Sequence, residues 1–220
     1  MASEVEICNL ALGHLGDSAT VASIDPPEGS AQAEHCQRFY PIARDTLLEM
    51  HDWSFATMRA QLAQVASPTT SWRHAYTQPA NCLQVRAILP PESIDDYALQ
   101  YVMAGNEFYP PAAGAYIPQP FATETLVTGT KVILTNQENA IARYTARVID
   151  TTKFSNLFTM TLSWHLASLL AGPIIKGDVG RAEAKRCMEM VGVFLGRATP
   201  ADSNQRDVQP LHVVSWMSGR

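Results

Sequence analysis

The sequence lacks the surplus of basic residues with which proteins hold nucleic acid or anionic membranes. Its 220 residues carry 16 basic and 21 acidic side chains, which gives a formal charge of -5. No overall positive field would therefore attract a phosphate backbone or an anionic lipid surface. Arginine and lysine are dispersed, and no zinc finger, helix-turn-helix or RNP motif is visible. We expect that DNA close to this chain would pass it without being bound.

Export and membrane signals are also missing from the pattern. The N-terminus, MASEVEICNLALGHLG, places acids before its apolar residues, whereas a secretory signal has a basic start and an uninterrupted apolar run. The longest apolar stretch, from Leu166 to Ile175, is interrupted by Gly172 and Pro173. It is too short to span a bilayer. These absences predict a chain with no membrane role.

Recognisable metal and redox motifs are absent. The histidines form no HxH, HxxxH or HExxH spacing, so the sequence predicts no metal site and no cofactor. The cysteines lack CxxC spacing and lie among apolar residues, which favours reduced, buried thiols in a cytosolic setting. These four cysteines are Cys8, Cys36, Cys82 and Cys187.

Catalytic motifs are equally scarce, and the chain has no GxSxG nucleophile motif. The segment GHLGDS lacks the Lys-Ser/Thr ending of a phosphate loop and is typical of a helix stop. One enzymatic alternative stays open, a hydrolase in which His51 and Asp52 act with a distant serine or cysteine. A histidine close to the negative end of a helix dipole is the commoner case, so we predict no catalytic residues.

The first 56 residues predict two helices. Ser3 and Glu6 form a capping box, and the helix is expected to end near Leu12. After a Pro- and Gly-containing loop, apolar residues recur at helical spacing, with Pro41 in the middle of the stripe. Because the stripe keeps its phase across the proline, we predict one kinked helix. Its apolar positions are Ala33, Cys36, Tyr40, Ala43, Leu47 and Met50.

Residues 57–149 predict β-strands and loops. Strands are expected in SWRHAYT and LQVRAIL, and TETLVTGTKVILT followed by AIARYTARV predicts a three-stranded antiparallel meander. In AIARYTARV, Thr145 is expected to share a solvated face with Arg143 and Arg147. The aromatic-rich loop AGNEFYPPAAGAYIPQPF either folds onto its own sheet or contacts another subunit.

The last third returns to helix. Asp150 is the expected N-cap of an apolar helix that ends at Gly172-Pro173. Asp178 is the expected N-cap of a final helix that ends near Arg197. Ala184, Met188, Val191 and Leu195 are predicted to form the apolar face of that final helix. The remainder begins as a polar linker and ends on an apolar run that is expected to dock, on its own domain or on a partner.

The predicted fold class is α+β. A helical bundle built from the N- and C-terminal segments would enclose a central antiparallel β-rich insertion, with an extended C-terminal arm. The predicted divisions are residues 1–56 and 150–198 for the two halves of the helical part, 57–149 for the β-rich domain, and 199–220 for the arm.

Several segments, in order, resemble one family. ICNLALGHLG, the run SIDPPEGSAQAEHCQRFYPIARDTLLEMHDWSFATMRAQLA, YTQPANCLQV and ARYTARVIDTTKFSNLF with LSWHLASLLA are similar to the tail tubular protein A and head-to-tail adaptor proteins of tailed bacteriophages. The most specific part is A-x-x-C-x-x-F/Y-Y-P-x-A-R-D-x-L-L ending in H-x-W-x-F-A, here Ala33 to Ala56. Relatives often have His-Pro-Trp where this chain has His51-Asp52-Trp53, which predicts that the helix runs one residue further.

The resemblance implies a non-enzymatic structural protein of the virion neck, assembled in the host cytoplasm. Such an adaptor, or connector, forms a closed ring, here expected to be a dodecamer, between the portal protein and a tail nozzle or other tail proteins. Genomic DNA would pass through its channel during ejection without sequence-specific binding. An alternative in the same viral class is a head-completion or neck protein of a long-tailed phage.

The resemblance also suggests roles for particular residues. Contacts between subunits are expected at Arg38, Arg44 and Asp45 and at Phe108, Tyr109 and Tyr116. The portal-binding arm would use Leu211, Val213, Val214, Trp216, Met217 and Arg220. Pro41, Trp53 and Phe55 are expected at the junction between the helical and β-rich parts.

Overall fold

The chain folds as a mixed α+β protein, as the sequence predicts at that level. A computed structural model describes residues 2–18, 20–91 and 119–205, together with the backbone of four short strands between residues 95 and 116. It divides into two compact units. The first comprises Met1–Ala56 and Ala146–Gln205, and the second contains Thr57–Thr145.

The first unit consists of four α-helices in which one apolar helix contacts the other three. The helices are α1 (Glu4–His14), α2 (Ala31–Met50), α3 (Asn156–Ile175) and α4 (Gly177–Ser203). The third packs against each of the others, and its Phe158, Leu162, Leu166 and Leu170 are fully buried. A helix that is apolar on most of its circumference is stable in water only when neighbours cover it on several sides.

The predicted start signal of the first helix is confirmed, and a serine also begins the second. The backbone N–H of Ser3 donates to the Glu6 carboxylate at 2.7 Å, and the Glu6 N–H donates to Ser3 Oγ at 3.2 Å. Ser30 caps α2 by accepting from the N–H of Ala33. Pro41 lies inside α2, which is continuous as predicted, but α2 ends at Met50 and does not extend into His51.

The predicted start of α3 is wrong, because Asp150 caps only a short 3-10 turn over Thr151–Lys153. The hydroxyl of Ser155, rather than Asp150, accepts from the N–H of Phe158 and begins the helix. The 3-10 turn ends after three residues, because 3-10 helices are short. The α-helix therefore begins with a cap of its own, two residues after the turn.

The predicted helix ends near the C-terminus are also wrong. The third helix continues through Gly172-Pro173 to Ile175, and the fourth continues past Arg197 to Ser203. Asp178 makes no capping bond but pairs with Arg181, one turn along α4. The fourth helix continues beyond the predicted end at Arg197 because Ala198 and Asp202 lie on its buried face. The expected boundary between residues 198 and 199 therefore lies inside α4.

Two methionines assigned to buried helix faces are exposed. Met50 is 44% exposed and Met188 is 48% exposed. Leu48, two residues before Met50, and Cys187, next to Met188, are fully buried. Each change of position by one residue rotates a side chain by about 100° around a helix, so periodicity alone misplaces residues at the border of an apolar stripe.

The third helix passes the length and hydropathy test for a membrane span. By length and composition its 20 residues could cross a membrane, but half of the apolar stretch is buried in the fold. The expectation that this apolar segment is too short was based on a helix stop at Gly172-Pro173, which does not occur. A buried core helix of a soluble protein passes the same test.

The second unit contains two antiparallel sheets. The first sheet consists of β1 (Thr57–Gln61), β11 (Ile141–Ala146) and β4 (Cys82–Leu89), in that order. The second consists of β2 (Gln64–Val65), β3 (His74–Thr77), β10 (Lys131–Thr135) and β9 (Phe121–Thr125), in that order. Four further short strands are β5 (Asp95–Leu99), β6 (Met103–Ala104), β7 (Glu107–Phe108) and β8 (Ala115–Tyr116).

The predicted three-stranded meander does not form. The hairpin of β9 and β10 is present, and Gly129 has the positive φ of 83° that its turn requires. The following strand, β11, instead pairs with β1, in the other sheet. Thr145 is buried and accepts a hydrogen bond from Arg86 Nε at 2.9 Å, which corrects its placement on a solvated face.

We expect Gly180→Ala to destabilise the first unit, because an added Cβ would lie 2.9 Å from the carbonyl oxygen of Ala171 on the neighbouring helix. Overpacking of this kind costs about 1–3 kcal/mol. The matched control is Gly192→Ala in the same helix, where nothing lies within 4 Å of the added atom. That change should raise stability by about 0.5–1 kcal/mol through helix propensity. Urea denaturation measures both, and equal effects would contradict the close packing.

Candidate functional site

Among the described residues, polar and aromatic contacts come together where α2 ends, in the segment His51 to Ala56. Trp53 is 1% exposed, and its indole Nε1–H donates to the carbonyl of Leu47 at 2.9 Å. The last four carbonyls of an α-helix have no partner within the helix. Trp53 therefore satisfies one of them and fixes the direction in which the chain leaves α2.

A carboxylate near the end of α4 binds the same segment. Asp202 accepts the Ser54 N–H at 3.0 Å through one oxygen and the Ser54 hydroxyl at 2.6 Å through the other. The second of these is a short bond of the kind that ionised acceptors make. Asp202 is 6% exposed, so these bonds replace lost hydration. They join residues 148 positions apart in the sequence.

An aromatic cluster packs next to these polar bonds. Trp53 meets Phe158 edge to face with ring centroids 5.0 Å apart, and Phe55 meets the same ring at 5.0 Å. Phe154 completes the cluster at 4.7 Å from Phe158. Aromatic pairs at such distances add about 0.5–1.5 kcal/mol beyond their buried area. The cluster joins the residues that precede β1 to the residues that begin α3.

The structure gives His51 a different carboxylate partner from the one that the sequence suggested. Its Nε2 lies 3.4 Å from an oxygen of Asp202, and its ring packs against Trp53 at 4.9 Å. The Ser54 hydroxyl donates to this same carboxylate. Asp202 thus lies between histidine and serine. In a serine nucleophile triad the histidine lies between the other two instead.

A second charged cluster connects α2 with the segment after β11. Arg44 is 6% exposed and donates through Nε to Asp45 at 2.8 Å. Arg147 donates to the other oxygen of Asp45, also at 2.8 Å. A buried guanidinium needs such a partner, since an unpaired charge in the interior is costly. Arg44 and Asp45, expected in contacts between subunits, therefore bind each other within one chain.

The other predicted site residues are distributed as follows. Arg38 and Pro41 are exposed on α2, while Trp53 and Phe55 lie immediately before the chain leaves the first unit at Ala56. Phe108 lies in β7 and Tyr116 in β8, where only the backbone is described. Tyr109 and the arm residues Leu211, Val213, Val214, Trp216, Met217 and Arg220 lie outside the described residues.

The histidines and cysteines of the described residues form no metal-binding group. His165 is buried, its Nδ1–H donates to the carbonyl of Ala43 at 3.2 Å, and burial lowers its pKa. All four cysteines are free and buried, as predicted. Burial raises the pKa of the Cys82 thiol to about 11, so this thiol stays protonated at neutral pH.

No protein-family model matches the chain, and no curated protein sequence matches it either. The resemblance to the phage adaptors therefore depends on the quoted residues alone.

Sequence reasoning identified Trp53 and Phe55 but missed Asp202 and Ser54. Ser54 lies between two aromatic residues in WSFA, and Asp202 lies in PADS, a short run that resembles an ordinary turn. No local pattern shows that residues so far apart bind each other. The arrangement offers fixed geometry at the end of α2 and a desolvated hydrogen-bond cluster, which suits a structural joint.

We expect Asp202→Ala to lower the free energy of unfolding by about 2–3 kcal/mol, because it leaves the Ser54 N–H and hydroxyl without their acceptor. Ser54→Ala should cost about 1 kcal/mol, since the backbone bond to Asp202 remains. Asp178→Ala is the control, because its side chain is 93% exposed. Chemical denaturation measures the free energy of unfolding of the three variants. Equal losses of stability in Asp202→Ala and Asp178→Ala would contradict a structural role for the Asp202–Ser54 bonds.

Proposed function

We propose that this chain is a structural virion protein, a head-to-tail adaptor that forms a ring between the portal and the tail of a bacteriophage. The observation that carries the proposal is the run from Ala33 to Ala56, which combines the most specific part of the resemblance with a packing role. In this proposal the protein is not an enzyme and uses no cofactor. Its partners are further copies of itself, the portal protein and a tail protein.

The burial of that run supports a role in geometry. Several apolar residues of the motif along α2 are each at most 1% exposed, and the Trp53 indole binds a carbonyl of the last turn of the helix. Side chains so buried cannot contact a substrate, but they define the shape of a helix and its exit. These residues are Ala33, Cys36, Tyr40, Ala43 and Leu47.

The proposed architecture is a helical bundle from the two ends of the chain, with a β-rich insertion and a C-terminal arm. The composition of the first unit, Met1–Ala56 with Ala146–Gln205, supports the bundle. The antiparallel sheets of Thr57–Thr145 support the insertion. In the ring, the helical part would contact the portal, and DNA would pass through the channel along an acidic protein that does not bind it.

A ring requires two different matching surfaces on each subunit. A heterologous contact that closes on itself joins one face of a subunit to another face of the next. Arg38 is exposed on α2 and is a candidate for this contact. Arg44 and Asp45 would act indirectly, by holding that part of α2 in place. The stretch that the sequence predicts as a contact loop, residues 108–121, is the second candidate surface.

We expect the purified protein to assemble as closed rings, alone or on its portal protein. Native mass spectrometry gives the subunit number, and negative-stain images of the mixture with the portal show whether rings cap it. A protein that stays monomeric and leaves the portal uncapped would contradict the proposal.

The interface is tested by Arg38→Glu, which should weaken ring formation by placing a negative charge in the proposed contact. The control is Lys185→Glu, the same reversal at an exposed position of α4. Loss of rings in both variants would indicate a general charge effect and not a contact at Arg38.

We expect deletion of residues 206–220 to leave folding intact and to weaken attachment to the portal. The cut must follow Gln205, because a deletion from residue 200 would also remove Asp202 and its bonds to Ser54. The longer deletion is therefore the matched control and should melt at a lower temperature. Circular dichroism melting and co-sedimentation with the portal measure the two effects. Unchanged portal attachment after the shorter deletion would contradict the proposed role of the arm in binding the portal.

A further inference from the structure

The C-terminal end of α1 is held by an aromatic stack and two hydrogen bonds. His14, the last residue of α1, lies face to face with Trp164 of α3, with ring centroids 3.7 Å apart and an interplanar angle of 4°. Its Nε2 lies 3.0 Å from the hydroxyl oxygen of Ser163. Arg186 of α4 donates to the carbonyl of His14 at 3.1 Å. One residue therefore joins the end of α1 to two other helices of the first unit.

The bonds of Ser163 show which nitrogen of His14 carries the proton. The hydroxyl of Ser163 donates its single hydrogen to the carbonyl of Met160 at 2.8 Å. Its oxygen therefore accepts from His14, and Nε2 of His14 is the donor. In a neutral imidazole the other ring nitrogen, Nδ1, then has no proton. A proton added to His14 goes to Nδ1, and the bond to Ser163 does not require it.

The surroundings of His14 disfavour a positive charge on its ring. Burial and, after it, the positive charge of Arg186 lower the pKa of His14. The guanidinium of Arg186 also lies 5.4 Å from the centre of the Trp164 ring, the same ring on which His14 stacks. A protonated His14 would therefore share one aromatic partner with a cation that is already present.

The carboxylates on the elements around His14 have other partners. The third helix contains no aspartate or glutamate. On α4, Glu183 accepts from Nε of Arg186 at 2.7 Å. Asp17, in the loop after α1, accepts from Gln32 of α2 at 3.3 Å. A proton on His14 would thus add a second positive charge next to Arg186 without a new ion pair to compensate it.

We propose that His14 is an acid-sensitive contact, which holds the end of α1 on α3 and α4 while its imidazole is neutral and releases it when the imidazole gains a proton. The contact lies within one chain, so the inference does not depend on ring assembly. It adds a conformational response to acid that the proposed structural role does not require.

The direction of the pH dependence follows from the lowered pKa of His14. In the unfolded chain a histidine titrates at about pH 6.5. Above that pH the neutral contact contributes its full stability. As the pH falls below it, the unfolded or released state binds a proton that the packed state does not, so the contribution is lost. The loss is complete once the pH lies below the pKa of His14 in the folded chain.

The test compares hydrogen exchange of the amides in the last turn of α1 from about pH 8 to about pH 5. Protection factors, which correct for the effect of pH on exchange itself, are measured by NMR in the parent and in His14→Gln. Glutamine keeps an N–H donor for Ser163 and cannot gain a charge. We expect acid to reduce protection more in the parent, by about tenfold for each unit by which the His14 pKa is lowered.

Another buried histidine has to be separated from this effect. Burial also lowers the pKa of His165, which bonds to Ala43, so acid destabilises the fold through His165 as well. This contribution is the same in the parent and in His14→Gln, and the difference between the two proteins therefore reports His14. An equal fall of protection in both would overturn the proposal.

A second measurement follows the His14 ring itself, through its proton NMR signals. We expect its pKa to lie below about 6.5 in the parent and to rise in Arg186→Met, which removes the charge but keeps a long side chain. Lys185→Met, at the neighbouring exposed position, is the control and should leave that pKa unchanged. A parent pKa above about 6.5 would show that stacking on Trp164 stabilises the charged ring, and it would overturn the proposal. The same conclusion follows if Arg186→Met leaves the pKa unchanged.

Discussion

The first unit depends on the need to cover α3. This helix has fully buried residues along its length and contacts each of the other three helices. A helix with so much apolar surface cannot remain in water with one face exposed, so the segments before and after the β-rich part must both pack on it. Residues from the two ends of the sequence therefore share one core. The capping bonds and the Asp202 cluster fix directions within that core, whose free energy comes mainly from burial.

The end of α2 shows how one segment serves both packing and chain direction. The Trp53 indole binds a carbonyl of the last turn, and the Asp202 carboxylate binds the Ser54 N–H that follows it in the chain. Phe55, Phe154 and Phe158 surround these bonds with apolar rings. Hydrogen bonds in such a desolvated place restrict the backbone more than exposed ones do. The segment that first suggests a histidine-aspartate dyad is thus a helix terminus whose polar groups bind one another.

Local signals predicted what depends on neighbours in the sequence. The Ser3 capping box, the helix through Pro41 and the hairpin formed by TETLVTGTKVILT each depend on residues close to each other in the sequence. Contacts between distant residues were not predictable in this way. The pairing of β11 with β1, the bonds of Asp202 to Ser54 and the length of α4 depend on which surfaces meet after folding. The third helix was expected to end at Gly172-Pro173 and the fourth near Arg197. Pro173 and Pro200 nevertheless lie inside these helices, because tertiary packing outweighs a local propensity.

The pairing of β1 with β11 places Thr57 opposite Thr145, the first and last residues of the β-rich stretch. Paired residues of antiparallel strands have their Cα atoms about 4.5–5.5 Å apart. The β-rich stretch therefore begins and ends at neighbouring points of the structure. A segment with adjacent ends can be inserted into a protein as a unit. Its interior can become longer or shorter, or be replaced, while its two ends stay together. Variation among descendants of this sequence would then accumulate inside the β-rich stretch, while the helical core changes slowly.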